Sequence, residues 1–411
     1  MVKMDKVVII GGGAAGLMAA CVASAHGVPV LLIEPGDTYG RKLRITGKGR
    51  CNLTNDCTVR ETIDAIPTGG KFLQSALYAF PPQSAMEFFE ELGVPLKTER
   101  GRRVFPVSDS ANDVADALVR RIKQNNVEIL KAKVQRILTD NGGVRGVTAG
   151  GREIPCRAVI VATGGLSYPK TGSTGDGYKL AEALGHTIEP TRGSLVPLES
   201  SDDACVKMQG LSLRNVEITV SDGGKKPVYT DFGELLFTHF GISGPLTLSA
   251  SAHMRDFENK SYSVFIDLKP ALDGETLDKR ILRDFEKQKN RDFANSLGDL
   301  VTRLMIPVIV ELSGIAPDKK VHSITREERL RLRQLLKSFE VRISRPRPVD
   351  EAVITSGGVS TRELVPATME SKLIRNLYFA GEVINADAYT GGYNLQIAWS
   401  TAYAAANAVV G

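Results

Sequence analysis

The run KVVIIGGGAAG from Lys6 to Gly16, with Glu34 eighteen residues further on at the end of VLLIE from Val30, is the feature that most constrains this chain. It reads as a buried parallel strand, a glycine-rich turn, a helix, and a second buried strand ending in a carboxylate. Gly11 permits the tight turn, and Gly13 lets the backbone approach a pyrophosphate with no Cβ in the way. Ala14 and Ala15 open the helix, whose N-terminal N–H groups and positive dipole end face the phosphates. Gly16 allows that helix to pack closely on the sheet, and Glu34 is placed to accept hydrogen bonds from an adenosine ribose. A glycine turn alone often has only a structural job. Here the preceding strand, the apolar helix (Leu17, Ala20, Val22, Ala23) and the acid at the right distance agree on dinucleotide binding.

At 411 residues the chain is too long for one ordinary core and calls for two or three domains. Its 42% hydrophobic and 24% charged residues are those of a soluble globular protein. A net charge of +5 is mild and gives no reason to invoke nucleic acid as a partner; a small organic molecule is the expected substrate. The dinucleotide strand starts within the first ten residues, which leaves no secretory layout, and no apolar stretch has membrane-spanning length. Five scattered cysteines fit a reducing compartment, so a cytoplasmic, bacterial-type enzyme is expected.

Helical patterns follow at 83–92 and 111–124, the second with Ser110 or Asp109 as cap. Val127–Leu138 reads as a strand, 144–154 as a hairpin turning at Gly150 and Gly151, and Ala158–Val161 as a buried strand running into ATGG, Ala162–Gly165. From about Arg192 short strands are expected at 216–220, 228–230, 234–237 and 262–268, then charged helices at 276–289, 300–312 and 326–339. From Asp350 the buried-strand pattern resumes, with Leu377–Glu382 and a long helix over 394–409. The expected organisation is α/β: residues 1–191 and 346–411 a discontinuous cofactor domain, 192–270 and 339–345 an inserted β-rich domain, and 271–338 a helical subdomain.

Two further signals turn a nucleotide site into a flavin site. FAGE, Phe379–Glu382, supplies Gly381 and a second acid, Glu382, for ribityl hydroxyls and the phosphate region. The following TGGYNLQ starts a helix at Gly392, Tyr393, Asn394 and Leu395 whose N–H groups suit a flavin carbonyl, where negative charge develops on reduction. In the loop from Gly40 to Asn55, Arg41 and Lys42 are candidates to neutralise phosphate, Thr46 and Gly47 to place donors near the reactive flavin nitrogen, and Arg50 and Asn52 to make more distant contacts. Ala162, Thr163 and Gly164 are expected beside the adenosine, and Val134 beside the adenine. FAD is therefore the expected cofactor. No metal-ligand pattern and no GxSxG appear; His239 and Tyr393 are the candidate proton donors.

Together with these motifs, TGKGRCNLTN (Thr46–Asn55), TGGYNLQIAWS (Thr390–Ser400) and LFTHFGISGP (Leu236–Pro245) resemble a bacterial family of NAD(P)/FAD-dependent oxidoreductases, the aminoacetone oxidase-like FAD-binding enzymes, which includes a bile-acid dehydro-reductase. The resemblance implies a two-dinucleotide-type Rossmann FAD domain, an inserted β-barrel-like domain and a helical subdomain. It also implies NAD(P)H as electron donor. TGDG (Thr174–Gly177) and SGGV (Ser356–Val359) are similar to motifs of fumarate reductases and ketosteroid dehydrogenases, and that kinship implies hydride transfer to a conjugated C=C bond. The competing readings are an amine oxidase using O₂, with Tyr168, Tyr389 and Tyr393 as an aromatic cage, a non-enzymatic redox sensor, and a thiol-disulfide reductase built on Cys51 and Cys57. Five residues lie between those cysteines, against the usual four.

Overall fold

The computed structural model of the chain describes residues 6–411. Two compact units emerge: one runs to Ser194 and adds Val349–Gly411, and the other is Leu195–Pro348.

The first unit is built on a five-stranded parallel sheet of β1 (Val7–Ile10), β2 (Val30–Ile33), β3 (Glu128–Leu130), β4 (Ala158–Val161) and β5 (Leu377–Phe379), in the order β5-β4-β1-β2-β3. β1, β2 and β4 are buried at every residue, which is why they read as unbroken apolar runs rather than alternating ones: a parallel sheet is covered on both faces. α1 (Ala14–Ala25) packs against α3 (Tyr393–Ala408), with α2 (Arg41–Ile45) between them in sequence. Small buried residues on both long helices, Ala19, Ala20 and Ala23 facing a partner rich in Ala402, Ala405 and Ala406, let the backbones approach closely. The chain's two ends thus complete one layered core.

The strand expected over 127–138 is two strands. β3 forms the sheet edge, whereas Val134–Asp140 joins Gly143–Ala149 and Arg152–Pro155 in an antiparallel meander. Strand propensity runs through both segments, so the departure at Lys131–Lys133 leaves no propensity signal. The helix 111–124 appears as expected, but Ser110 makes no side-chain cap bond and Asp109 gives its carboxylate to Arg50 and Lys97.

The second unit has a seven-stranded antiparallel sheet in which Phe339–Ile343, Tyr262–Asp267, Ser212–Ser221, Tyr229–Thr238, Gly241–Ser243, Leu198–Glu199 and Arg345–Pro346 follow one another. The segments 228–230 and 234–237 belong to one strand, and its neighbour Ser212–Ser221 bulges at Asn215 opposite Gly233 and Glu234. Helices Gly274–Lys287 and Arg326–Lys337 share a core with this sheet through Leu277, Ile281, Leu332, Leu336 and Val264. The helix expected over 300–312 is confined to Ile306–Ser313, with Pro307 in its first turn, where a missing N–H is harmless.

One buried polar network braces the first unit. The His186 side chain is fully buried, its Nδ1 3.1 Å from Glu363, its Nε2 2.9 Å from Ser371 Oγ, its ring edge-on to Phe379 of β5. Burial pushes its imidazole below the ordinary value, with Glu363 opposing. The fold therefore favours neutral His186. That contribution is complete above the unfolded value of about 6.5 and is lost as pH falls below it. Urea midpoints measured from pH 8 to pH 5 should fall more steeply for the parent chain than for His186→Gln; parallel profiles would remove this role.

Candidate functional site

In the first unit β1, β4 and β5 end beside one another, and a cleft opens beyond their C-terminal ends, where a parallel sheet of this kind receives a dinucleotide. Gly11, Gly13, Ala14, Ala15 and Glu34 line it on one side, Ala162, Thr163 and Gly164 on another. Arg41, Lys42 and Thr46 enter from α2 and its end, and Gly381, Glu382, Asn394 and Leu395 from the C-terminal segment.

The glycine turn works by close approach. Gly11 has φ 104°, and a Cβ there would stand 2.6 Å from the Ala162 carbonyl oxygen. At Gly13, by contrast, a Cβ would meet no protein atom within 4 Å, so it would project into the cleft at the N-terminus of α1. A phosphate fits that space and finds the helix's unpaired N–H groups there. Glu34 is fixed by the Gly12 N–H (2.8 Å) and the Gly36 N–H (2.9 Å), one on each carboxylate oxygen, and each oxygen keeps a lone pair for a ribose hydroxyl. Thr163 Oγ1 is buried with no partner, beside the same end. Val134 lies not in this cleft but in an adjoining depression with Ile10, Lys133 and Asp176 that also shares Gly11, Glu34 and Thr163. These residues fit a bound FAD.

The middle of the cleft holds a charge cluster that differs from the expected one. Lys42 Nζ lies 2.6 Å from Glu382 Oε2 and 2.5 Å from Ser167 Oγ, so its charge is shared with the second acid rather than left for phosphate alone. Glu382 also accepts from Ser167 Oγ (2.9 Å) and the Thr355 N–H (2.9 Å). Ser167 and Thr355 escaped the sequence reading; their signal is only that each adjoins a glycine motif. Arg41, 3.9 Å from Glu34, stays at the mouth.

At the far end, Gly392 serves as a spacer rather than a donor. It has φ 99°, a Cβ there would fall 2.4 Å from the Thr54 backbone, and its own N–H is taken by the Asn52 side chain at 3.1 Å. The first intrahelical bond of α3 is Gln396 N–H to Gly392 O, so the N–H groups of Asn394 and Leu395 precede the ladder and remain for a ligand. The Asn394 side chain clamps Ala388.

Other expected residues lie outside the lining or, like Thr46, reach it with the side chain already engaged. Gly16 supports α1 from below: a Cβ would meet Gly11 O. Thr46 Oγ1 donates to Leu43 O at 2.6 Å, so its hydroxyl is engaged, and Gly47 packs on Phe105. Arg50 is held by Glu99 and Asp109 over the Phe105 ring. Tyr393 lies outside the lining, and burial pushes its phenol up to about 12. His239 belongs to the second unit, exposed at the tip of the tight hairpin Thr238–Gly241 against Phe240. The cysteines are all unpaired; burial pushes Cys51 up to about 12 and raises Cys57, the reverse of an activated redox pair. Tyr168, Tyr389 and Tyr393 do not line the cleft. Among the described residues there is no metal-binding cluster and no helix long and apolar enough to cross a membrane.

A parallel sheet with a glycine cradle, two cleft acids and a helix start facing the same space defines a dinucleotide-cofactor flavoprotein. Residues 5–408 match the family described as HI0933-like protein Rossmann domain. A 3-dehydro-bile acid delta(4,6)-reductase of Clostridium scindens is 32% identical, covering 98% of this chain and 99% of that one. A ribosomal RNA dihydrouridine synthase of Escherichia coli is also 32% identical, covering 100% and 99%. Among solved structures, a 3-ketosteroid delta1-dehydrogenase from Sterolibacterium denitrificans superposes with a TM-score of 0.52 at 14% identity over 99% of both chains, a likeness of fold. The chain belongs to the HI0933-like family and is an FAD-dependent oxidoreductase.

Gly13→Val should leave the melting temperature of the flavin-free protein nearly unchanged, since the added atoms meet open space, yet abolish flavin retention; normal flavin content on gel filtration would refute the cradle. Glu382→Ala should weaken FAD by about 1–3 kcal/mol, the cost of losing a charged hydrogen-bond partner. Lys42→Met should be less than additive with it in a double-mutant cycle, because each already breaks the same pair. Full additivity in equilibrium dialysis would show the two act separately.

Proposed function

We propose that this chain reduces a conjugated C=C bond next to a carbonyl, with NADH or NADPH as the source of electrons. Bound FAD supplies a two-electron carrier able to take hydride from a nicotinamide and give it to carbon. The observation that carries the reading is the pair of full-length relatives, equally similar to this chain, whose names denote chemistry on the same bond type. A 3-oxo-delta(4,6) steroid and a uracil ring both present a C=C conjugated to a carbonyl.

The chain's own residues bind and orient. The N-terminus of α1 and Gly13 accommodate the pyrophosphate, and Glu34 the adenosine ribose. Lys42 brings a cation to mid-cleft, fixed by Glu382 and Ser167. The N–H groups of Asn394 and Leu395, at the positive end of α3, favour the carbonyl that gains negative charge on reduction. No second glycine-rich dinucleotide turn is present in the sequence, so the nicotinamide is read as a transient visitor to the same cleft.

The favoured substrate is a small organic enone of steroid or bile-acid type. A second reading, uridine within ribosomal RNA, is supported by the Escherichia coli relative. Anaerobic stopped-flow with NADH and NADPH should bleach the flavin, and reoxidation should follow with a 3-oxo-4-ene steroid or with a uridine-containing RNA. Direct bleaching by a primary amine, with reoxidation by O₂ alone, would replace this reading with the oxidase.

A further inference from the structure

The loop after α2 carries four positive φ values in five residues: Gly47 (57°), Lys48 (59°), Gly49 (84°) and Cys51 (60°). Glycine takes this region freely, but Lys48, at ψ 41°, is a side chain-bearing residue in a conformation such residues avoid. Backbone held this way clusters at ligand sites. Lys48 is exposed, and of the acids on the elements around its loop Asp113 is exposed with no ion pair, whereas others are committed elsewhere. Glu99 and Asp109 are held by Arg50 and Lys97, and Glu61 by Arg102.

A second exposed cation is fixed nearby. The Arg103 guanidinium lies 5.9 Å from the centroid of Phe105, and its Nε donates to Arg100 O rather than to a carboxylate. Phe105 is the ring on which Gly47 also packs, a Cβ at Gly47 being 3.6 Å from its Cε1, so one buried ring sets both the Lys48 turn and Arg103. The same patch is stitched to the cofactor cleft. Asn55 Nδ2 donates to Gly101 O and to Gly391 O, both at 3.1 Å, joining the Arg100–Arg103 turn to the segment that opens α3. Asn52 joins the loop to Gly392, and Thr46, two residues before Lys48, lines the cleft itself. The remaining carboxylate on these strands is Asp56, exposed beside Asn55.

We infer that Lys48 and Arg103 form an anion-recognition rim at the α3 end of the cleft, which binds an anionic oxygen group of the substrate. This rests on the reading above that the cleft presents a reduced flavin to a conjugated carbonyl compound. Such a group comes from one of two sources: the carboxylate of a small hydrophobic acid or the phosphodiester of RNA. Arginine offers either one a planar fork of donors, and lysine a compact charge.

The test is a binding titration of the FAD-loaded protein, read by perturbation of the flavin spectrum. The probes are a 3-oxo-4-ene steroid carboxylic acid, its methyl ester, and a short oligouridylate. Lys48→Gly suits the backbone, so it removes the charge without unfolding the loop; Lys48→Arg should restore function. The parent should bind the acid or the oligouridylate more tightly than the neutral ester, with an affinity that falls as salt rises. Lys48→Gly should weaken that anion by about tenfold and leave the ester unchanged, and Arg103→Gln should do the same. A response to the acid assigns the carboxylate, and a response to the oligouridylate the phosphodiester. Equal binding of acid and ester with none of the oligouridylate, or an equal loss for all three in Lys48→Gly, would overturn the inference. Turnover is read separately with reduced protein: anion preference without reduction of any probe would strike the proposed reaction and leave the rim standing.

Discussion

Lys42 and Glu382 lie 340 positions apart in sequence, yet their side chains meet at 2.6 Å in the middle of the cleft, one about a fifth exposed and the other about a tenth. A pair this far from water is tolerable only when both partners are present and their remaining donors and acceptors are met. Ser167 and the Thr355 N–H meet them, bringing in two further segments. The N-terminal α2 stretch, the segment after β4, the strand Ile354–Val359 and the segment after β5 are thereby held to one geometry. The cofactor site is a product of both ends of the chain, which is why the intervening unit interrupts the sequence without interrupting the sheet.

Close backbone approach gives the cleft its floor. At Gly11 against Ala162, and at Gly392 against Thr54, the contact leaves no room for a Cβ. Gly13 is different: a Cβ there would meet no protein atom within 4 Å, so packing does not require its missing side chain. Sequence motifs treat these glycines alike. Packing separates those that the fold requires from the one that it does not.

Much of the first unit was legible because its signals are local. Four-residue runs of Val, Ile and Ala leading into glycine mark β1 and β4, and an acid, Glu34, follows β2. What was not legible depends on partners distant in sequence. Arg50 looks like a cofactor contact until Glu99 and Asp109 are seen to hold it. Tyr393 looks like a proton donor in the cleft until it is found outside the lining. Gly392 looks like a donor until Asn52 takes its N–H. Ser167 and Thr355 carry no motif of their own, and only the tertiary pairing of Lys42 with Glu382 reveals them.

One FAD is expected to fill both ends of the cleft at once, its adenosine at Glu34 and its flavin between Glu382 and the start of α3. Acid release of the cofactor from the purified protein, followed by chromatography, tests it directly. FAD, close to one per chain, is the expected result; recovery of FMN alone, which has no adenosine to reach Glu34, would contradict that placement.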